Sequence, residues 1–130
     1  MKTDEHIQNW IDSSDDDFQA MINLFEKRNN TWALFIGHLV LEKLIKAWYV
    51  KVNSKTPPFF HDLVRLAEKS NLTLDEEQKD ILDTISTFNI RGRYDDYKRE
   101  FYKKCSNPFT KEWVGNIKEF REWIKIKLQK

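Results

Sequence analysis

The stretch that decides the fold is TWALFIGHLVLEKLIKAWYVKVN, residues 31–53. Plotted at about 100° per residue, its apolar side chains cover most of a helical wheel. Its polar side chains gather mainly in one sector: Thr31, His38, Glu42, Lys46 and Tyr49. A helix that is apolar nearly all round must be covered on most sides. We therefore expect this helix either to lie at the centre of a helical bundle or to be shared with a partner subunit.

Gly37 stands in the middle of this central helix. A glycine at such a position costs about 1 kcal/mol relative to alanine. A close approach of a neighbouring helix would justify that cost, so the sequence predicts tight packing at this point.

Apolar residues recur at helical spacing on both sides of this stretch. We predict further helices over residues 4–28, 61–70, 75–88 and 110–128, and a short helical piece that ends near Cys105. The acidic run Asp15, Asp16 and Asp17 is interpreted as a solvated face of the first helix. Because short connections join antiparallel neighbours, the sequence predicts an all-α, up-and-down bundle of four or five helices in one domain, residues 1–130.

Residue types at the predicted connections indicate where helices begin and end. Thr31 is a plausible N-cap of the second helix. Pro57 and Pro58 make a loop after it, and Asn107 and Pro108 break the chain before the last helix. The segment NIRGRYDDY, residues 89–97, has a different character from the helices around it. We expect a break there, which would place its arginines outside regular helix.

Composition limits the classes of protein that this chain can belong to. The net charge of +1 excludes a basic nucleic-acid footprint over the whole surface, although a local basic patch remains open. Cys105 is the only cysteine, which excludes an intramolecular disulfide and a multi-cysteine zinc site. The sequence has no signal-peptide segment and no apolar run of about 18 residues. We therefore expect a cytoplasmic protein without a membrane span.

Three stretches together resemble the HEPN domain (higher eukaryotes and prokaryotes nucleotide-binding). They are HLVLEKLIKA at residues 38–47, PPFFHDL at 57–63 and FNIRGRYD at 88–95. Each motif alone is weak, but the three in this order and spacing are fairly specific. The resemblance covers nearly the whole chain, from about Trp10 to Trp123.

The resemblance implies a bundle of four or five helices that dimerises. Many small prokaryotic members of the family are similar to toxins encoded beside a minimal nucleotidyltransferase antitoxin. Active members cleave RNA with an Arg-x(4–6)-His motif, which the dimer interface brings together twice. Some members also carry a tyrosine just after that histidine, which the partner can modify with AMP. The resemblance thus implies a homodimer, a nucleotidyltransferase partner and a nucleotide or RNA ligand.

This sequence departs from the family pattern at the nuclease motif. Its three histidines are His6, His38 and His61, and all of them precede Arg91. The residues five positions after Arg91 and Arg93 are Asp96 and Lys98. The standard motif is therefore absent, which favours a protein that is not a nuclease. By analogy Tyr94 or Tyr97 would be the acceptor for AMP, but neither stands at the family's spacing.

The group Arg91, Arg93 and Tyr94 is the most informative candidate for ligand binding. Arginine offers a planar fork of donors that suits phosphate or carboxylate groups. Alternatively, the two guanidinium groups make ion pairs with Asp95, Asp96 or the fourth helix and hold the connection in place.

His38, Glu42 and Lys46 lie on successive turns of one helix face. One interpretation is a polar pocket that binds a phosphate through Lys46 and His38. The alternative is a Glu42–Lys46 ion pair, worth a few tenths of a kcal/mol, beside a histidine that supports packing. His38 and Glu42 also have the spacing of metal ligands, but a third ligand is not evident. We therefore expect no metal and no cofactor.

His61 is the best remaining acid or base, since imidazole titrates near neutral pH. Metal-independent RNA cleavage would need such a group together with a cation such as Arg91 or Arg93. Alternatively, His61 caps or packs at the start of the third helix.

These candidates lead to three hypotheses. The first is a homodimeric nucleotide- or RNA-binding protein of a toxin–antitoxin type system with a nucleotidyltransferase partner. Its predicted binding residues are Arg91, Arg93, Tyr94, His61, Lys46 and His38. The second is a metal-independent ribonuclease with a non-standard acid or base, and the third is a degenerate bundle that only assembles.

Overall fold

The computed structural model describes residues 3–130, apart from the side-chain surroundings of Ile90, Gly92, Arg93 and Asp95. This described part of the chain contains helices and no strand, so the all-α prediction is confirmed. None of the described helices is long and apolar enough to cross a membrane. The helices are α1 (Thr3–Glu26), α2 (Asn30–Asn53), α3 (Leu63–Lys69), α4 (Glu76–Arg93), α5 (Asp95–Lys104) and α6 (Asn107–Leu128).

The helix α2 is the centre of the bundle, as predicted. It packs against α1, α3, α4, α5 and α6. A β-carbon built on Gly37 would lie 2.5 Å from Cδ1 of Ile117 and 3.0 Å from Sδ of Met21. Side chains of α6 and α1 therefore fill the space that a larger residue would need, which explains the glycine in the middle of the helix.

The predicted N-cap of α2 is wrong. The helix begins at Asn30, so Thr31 lies inside its first turn, and the capping position belongs to Asn29, whose side chain makes no capping hydrogen bond. The start is set by tertiary contacts instead. The side-chain amide of Asn30 donates to the backbone oxygen of Cys105 (3.0 Å) and to Oδ1 of Asn107 (2.8 Å). These bonds tie the start of α2 to the start of α6.

The predicted break within residues 89–97 is present, but it lies later in the segment than expected. The helix α4 continues to Arg93, and the chain becomes extended only at Tyr94 (φ −101°, ψ 132°). Phe88 is buried against the rings of Phe101 and Trp113, with centroid distances of 5.4 and 5.8 Å. This packing carries the helix through a segment whose residue types favour a break. Arg91 therefore lies in helix rather than in a loop.

The last helix begins three residues earlier than predicted. The side chain of Ser106 caps α6 by accepting from the backbone N–H of Phe109. Pro108 lies in the first turn, where the missing N–H of proline leaves no helical hydrogen bond unmade. The proline therefore starts this helix instead of interrupting the chain before it.

The acidic run of α1 is only partly solvated, contrary to the prediction. Oδ1 of Asp15 accepts from Arg121 (3.1 Å) and Lys125 (2.8 Å) of α6. Asp17 pairs with Lys43 of α2 at 2.6 Å. Burial alone would raise the pKa of Asp15, but the hydrogen bonds and charges of the two cations together hold it below its usual range. Two of the three aspartates thus fasten α1 to its neighbours.

Candidate functional site

A buried carboxylate on α2, that of Glu42, joins three of the predicted site residues. Its Oε1 accepts from Nδ1 of His61 at 2.7 Å, and its Oε2 accepts from Nζ of Lys46 at 3.2 Å. Nε2 of His38 lies 4.0 Å from the same Oε1. We call His38, Glu42, Lys46 and His61 the histidine–glutamate cluster. The successive turns of α2 supply three of its members, and the loop before α3 supplies the fourth.

His38 is fully buried in this cluster. Its Nε2 lies 2.8 Å from the backbone oxygen of His61, and since a carbonyl only accepts, Nε2 carries the proton. Burial lowers the pKa of His38, as do the charges of His61 and Lys46, although the bond to His61 and the charge of Glu42 oppose them. His38 is therefore a neutral donor that holds the His61 backbone in place.

Lys46 directs its ammonium group into the cluster. Besides the bond to Glu42, its Nζ lies 5.2 Å from the ring centroid of Trp10 and 5.9 Å from that of Phe59. Only 7% of the residue is exposed. The Glu42–Lys46 ion pair predicted as one alternative is thus present, and the positive charge is balanced inside the fold.

His61 differs from the other members because about half of its side chain (49%) is exposed. In the neutral form of the ring, donation from Nδ1 to Glu42 places the free lone pair on Nε2, which is the arrangement of an oriented base. The surface beside it is acidic. Burial raises the pKa of Asp83, and the nearby charges of Asp62, Asp80 and Glu68 raise it further. This negative potential opposes the approach of a phosphate to His61.

The other predicted residues lie around the junction of α4 and α5. Arg91 is half-buried in the last turn of α4, and Tyr94 is exposed. Burial raises the pKa of the Cys105 thiol to about 11, and the charge of Arg91 is one of the influences that oppose this rise. Arg91 therefore lies near Cys105, and no ion pair with Asp96 is found among the described side chains. Arg93 and Asp95 fall outside the described side chains.

Cys105 also borders a cavity with a volume of about 670 Å³. The cavity lies between the α1–α2 turn and one face of α5. We call it the basic groove. Its lining residues are Arg28, Asn29, Asn30, Thr31, Trp32, Lys98, Arg99, Tyr102, Lys103, Cys105 and Ser106.

All charged side chains that line the basic groove are positive. Four of its lining residues are cations, and within the described chain its lining contains no Asp or Glu. No described carboxylate forms a salt bridge with Arg28, Arg99 or Lys103. In a protein of net charge +1, this concentrates positive potential in one concave place, which attracts anions.

Two aromatic rings accompany these cations. Trp32 is 51% exposed and Tyr102 is 75% exposed. Nζ of Lys98 lies 5.6 Å from the ring centroid of Trp32. Exposed rings beside cations offer faces for stacking a flat ligand whose charged groups the cations can bind.

The sequence builds the groove from distant parts of the chain. On α5, Lys98 with Tyr102 and Arg99 with Lys103 are i, i+4 pairs, which lie on one helix face, while Phe101 points into the core. No family motif covers this stripe, so it was not among the residues predicted from the sequence. The amphipathic spacing of KREFYKK, residues 98–104, was the available signal.

Four helix ends meet beside the groove. The starts of α2 and α6 are joined through Asn30 and Asn107, while α1 and α5 end nearby. A helix start carries a partial positive charge and a helix end a partial negative one, so these contributions largely offset each other. The side-chain cations therefore decide the sign of the potential.

The comparisons with known proteins agree with this architecture. A family model described as HEPN domain matches residues 7–127. A search of curated proteins and a search of solved structures each found no match. Because the family model spans nearly all of the helices described above, the chain belongs to the HEPN family.

Proposed function

We propose that this HEPN protein binds a nucleotide or RNA in the basic groove. The observation that carries the proposal is the set of four cations around a concave surface whose described lining lacks a carboxylate. Phosphate groups would bind to the guanidinium groups of Arg28 and Arg99 and to the ammonium groups of Lys98 and Lys103. A base would stack on the exposed ring of Trp32 or Tyr102.

Some of the binding residues predicted from the sequence would contact the ligand directly in this proposal, and others would act indirectly. Arg91 and Tyr94 would contact the ligand from the α4–α5 junction, and Arg93, whose side chain lies outside the described part of the chain, stays a predicted binding residue. His38, Lys46 and His61 would support binding indirectly, because their mutual bonds hold the loop and the central helix that frame the fold.

The proposed assembly is a homodimer that works with a nucleotidyltransferase partner in a toxin–antitoxin type system. Support comes from membership of the HEPN family and from exposed aromatic side chains on α5, such as Tyr97 (50% exposed). Light scattering of the purified protein at micromolar concentration tests the dimer, and a monomer would contradict it. Co-purification from the native cell followed by intact-mass measurement tests the partner and any added AMP.

A ribonuclease remains the second candidate, because Glu42 orients the imidazole of His61 as a base. The acidic residues beside His61 and the lack of the Arg-x(4–6)-His motif favour binding over cleavage. RNA cleavage in EDTA that Arg91→Ala abolishes and Lys118→Ala leaves intact would support this candidate. If neither RNA nor a nucleotide binds, the third hypothesis, a bundle that only assembles, is left.

The deciding experiment measures binding by fluorescence anisotropy. The probes are a labelled single-stranded RNA and a labelled ATP analogue, titrated at several salt concentrations. We expect the double variant Arg99→Glu/Lys103→Glu to weaken binding at least about tenfold, and to reduce the salt slope by about 0.7 for each lost phosphate contact.

The matched control is Lys69→Glu/Lys118→Glu, which changes the net charge equally at exposed positions that do not line the groove. The proposal requires the control to bind nearly as well as the wild type. Equal weakening in both double variants would show that only the net charge matters, which would contradict a defined binding site.

A further inference from the structure

A second cavity adjoins the basic groove. It has a volume of about 480 Å³ and is lined by Phe25, Glu26, Arg28, Asn107, Pro108 and Lys111. Arg28 lines both cavities. The two hollows are therefore neighbours that share this side chain beside the α1–α2 turn. The positive charge continues into the second cavity through Lys111, and Glu26 lies beside it.

Arg28 stands at this junction because of a specific backbone arrangement. Its φ of 62° lies in the left-handed region. Its N–H donates to the oxygen of Phe25 (3.0 Å), and the N–H of Asn29 donates to that of Leu24 (2.8 Å). These two bonds form a Schellman motif at the end of α1, a position that glycine usually occupies. Here an arginine occupies it and brings a cation to the point where the cavities join.

The two aromatic rings of the basic groove indicate what kind of ligand fits. A duplex buries the faces of its bases, so it has none to offer to Trp32 or Tyr102. A mononucleotide carries a single base, whereas the two hollows together present two exposed rings and five cationic side chains. An unpaired strand carries successive bases and successive phosphates, and stacking platforms beside cations are the usual way in which proteins bind such strands.

We propose that the basic groove and the second cavity together form a track for one unpaired nucleic-acid strand. The bases stack on Trp32 and Tyr102, and the backbone turns past Arg28 towards Lys111. This inference rests on the proposed function and deepens it, since it specifies the state of the ligand and extends the site beyond the groove.

Oligonucleotide length tests the track directly. A labelled dinucleotide fits within the groove, whereas a labelled strand of about eight nucleotides has the length that such sites commonly cover. We expect Lys111→Glu to weaken binding of the longer strand severalfold and to leave the dinucleotide unchanged. Arg99→Glu should weaken both ligands. Lys118→Glu on the same helix as Lys111 is the matched control and should affect neither.

Three further ligands test whether the bases stack on the two rings. We expect an abasic strand of the same length, a blunt duplex and a mononucleotide each to bind at least about tenfold more weakly than the unpaired strand. Trp32→Ala and Tyr102→Ala should abolish the preference for the base-bearing strand over the abasic one. Circular dichroism confirms that these variants remain folded, which is expected because both rings are exposed.

The outcomes separate the two proposals. If the duplex or the abasic strand binds as tightly as the unpaired strand, or if Lys111→Glu acts equally on both lengths, the track is overturned while nucleotide or RNA binding stands. If no nucleic acid or nucleotide binds even at low salt, the proposed function itself fails.

Discussion

The histidine–glutamate cluster and the basic groove both concentrate charged side chains, but their charges are balanced in opposite ways. In the cluster, Glu42 and Lys46 are nearly buried, and each has its partner inside the fold. In the groove, Arg99 and Lys103 face solvent, and no described carboxylate pairs with them. The cluster can therefore stabilise the fold without a ligand, whereas Arg99 and Lys103 leave charge in the groove that a ligand can balance.

The residues that carry the family resemblance and the residues proposed to bind a ligand lie in different places. The cluster contains the residues that make the sequence resemble its family, such as His38 and His61. The groove consists of residues that no motif marks, such as Trp32 and Lys98. Two of the three family motifs thus supply the histidine–glutamate cluster, and the surface beside α5 carries the features that suit a ligand.

The largest expected effect is a loss of stability when the histidine–glutamate cluster is broken. Replacing Glu42 by alanine leaves the buried ammonium group of Lys46 without its partner and releases His61. Breaking a buried ion pair from one side costs about 3–5 kcal/mol. We expect this loss in the free energy of unfolding measured in urea, while the folded fraction of the variant binds RNA as the wild type does.

Glu112→Ala is the control, because Glu112 is an exposed glutamate on α6 and its removal should change stability by no more than about 0.5 kcal/mol. A loss below about 1 kcal/mol for Glu42→Ala would show that the cluster is not a stabilising unit. Loss of RNA affinity at unchanged stability would place the cluster in the binding site instead.

A smaller effect is predicted for the pH dependence of stability. Burial is the main reason that the pKa of His38 lies below its ordinary value of 6.5. Below that pH the unfolded chain binds a proton that the folded chain excludes, so the contribution of His38 is complete above pH 6.5 and is lost as the pH falls. The slope from one such group is at most about 1.4 kcal/mol per pH unit.

We expect His38→Leu to flatten the fall in unfolding free energy between pH 7 and pH 5, whatever its stability at pH 7. The pKa of Asp15 is also lowered, from an ordinary value of 3.8, so its contribution is lost at more acidic pH. His6→Gln is the control, since His6 is exposed. An unchanged pH profile in His38→Leu would mean that His38 is not the neutral buried donor described above.

Much of the fold could be predicted from the sequence, because apolar residues at helical spacing form the faces that the bundle buries. The apolar helical wheel of residues 31–53 predicted a central helix, and Gly37 predicted a close helix contact. Both features are present. The errors have one cause, which is that residue type was given more weight than packing. Pro108 starts α6 because Ser106 caps it, and α4 passes residue 88 because Phe88 is held by rings from α5 and α6.

The site was harder to predict than the fold. Spacing within α2 grouped three residues of the histidine–glutamate cluster, and His61 was singled out separately, but their mutual contact was not predicted from the sequence. The basic groove depends on contact between Arg28 or Trp32 and an α5 face that is some 70 positions away in the sequence. That contact follows from the bonds between Asn30, Cys105 and Asn107, which no local pattern reveals.

The smallest expected effect concerns Arg28, which lowers the stability of the fold and is proposed to bind the ligand. Arg28 occupies the left-handed position of a Schellman motif, where glycine avoids the strain that a β-carbon causes. We expect Arg28→Gly to raise the free energy of unfolding by about 0.5–1 kcal/mol and to weaken binding of a single-stranded RNA. Arg28→Asn is the matched variant, because asparagine tolerates the left-handed region but carries no charge. If both variants gain stability and lose affinity, the arginine is retained for its charge. A variant that binds as tightly as the wild type would show that the cation at this junction does not contact the ligand, and binding in the groove would then depend on cations such as Arg99 and Lys103.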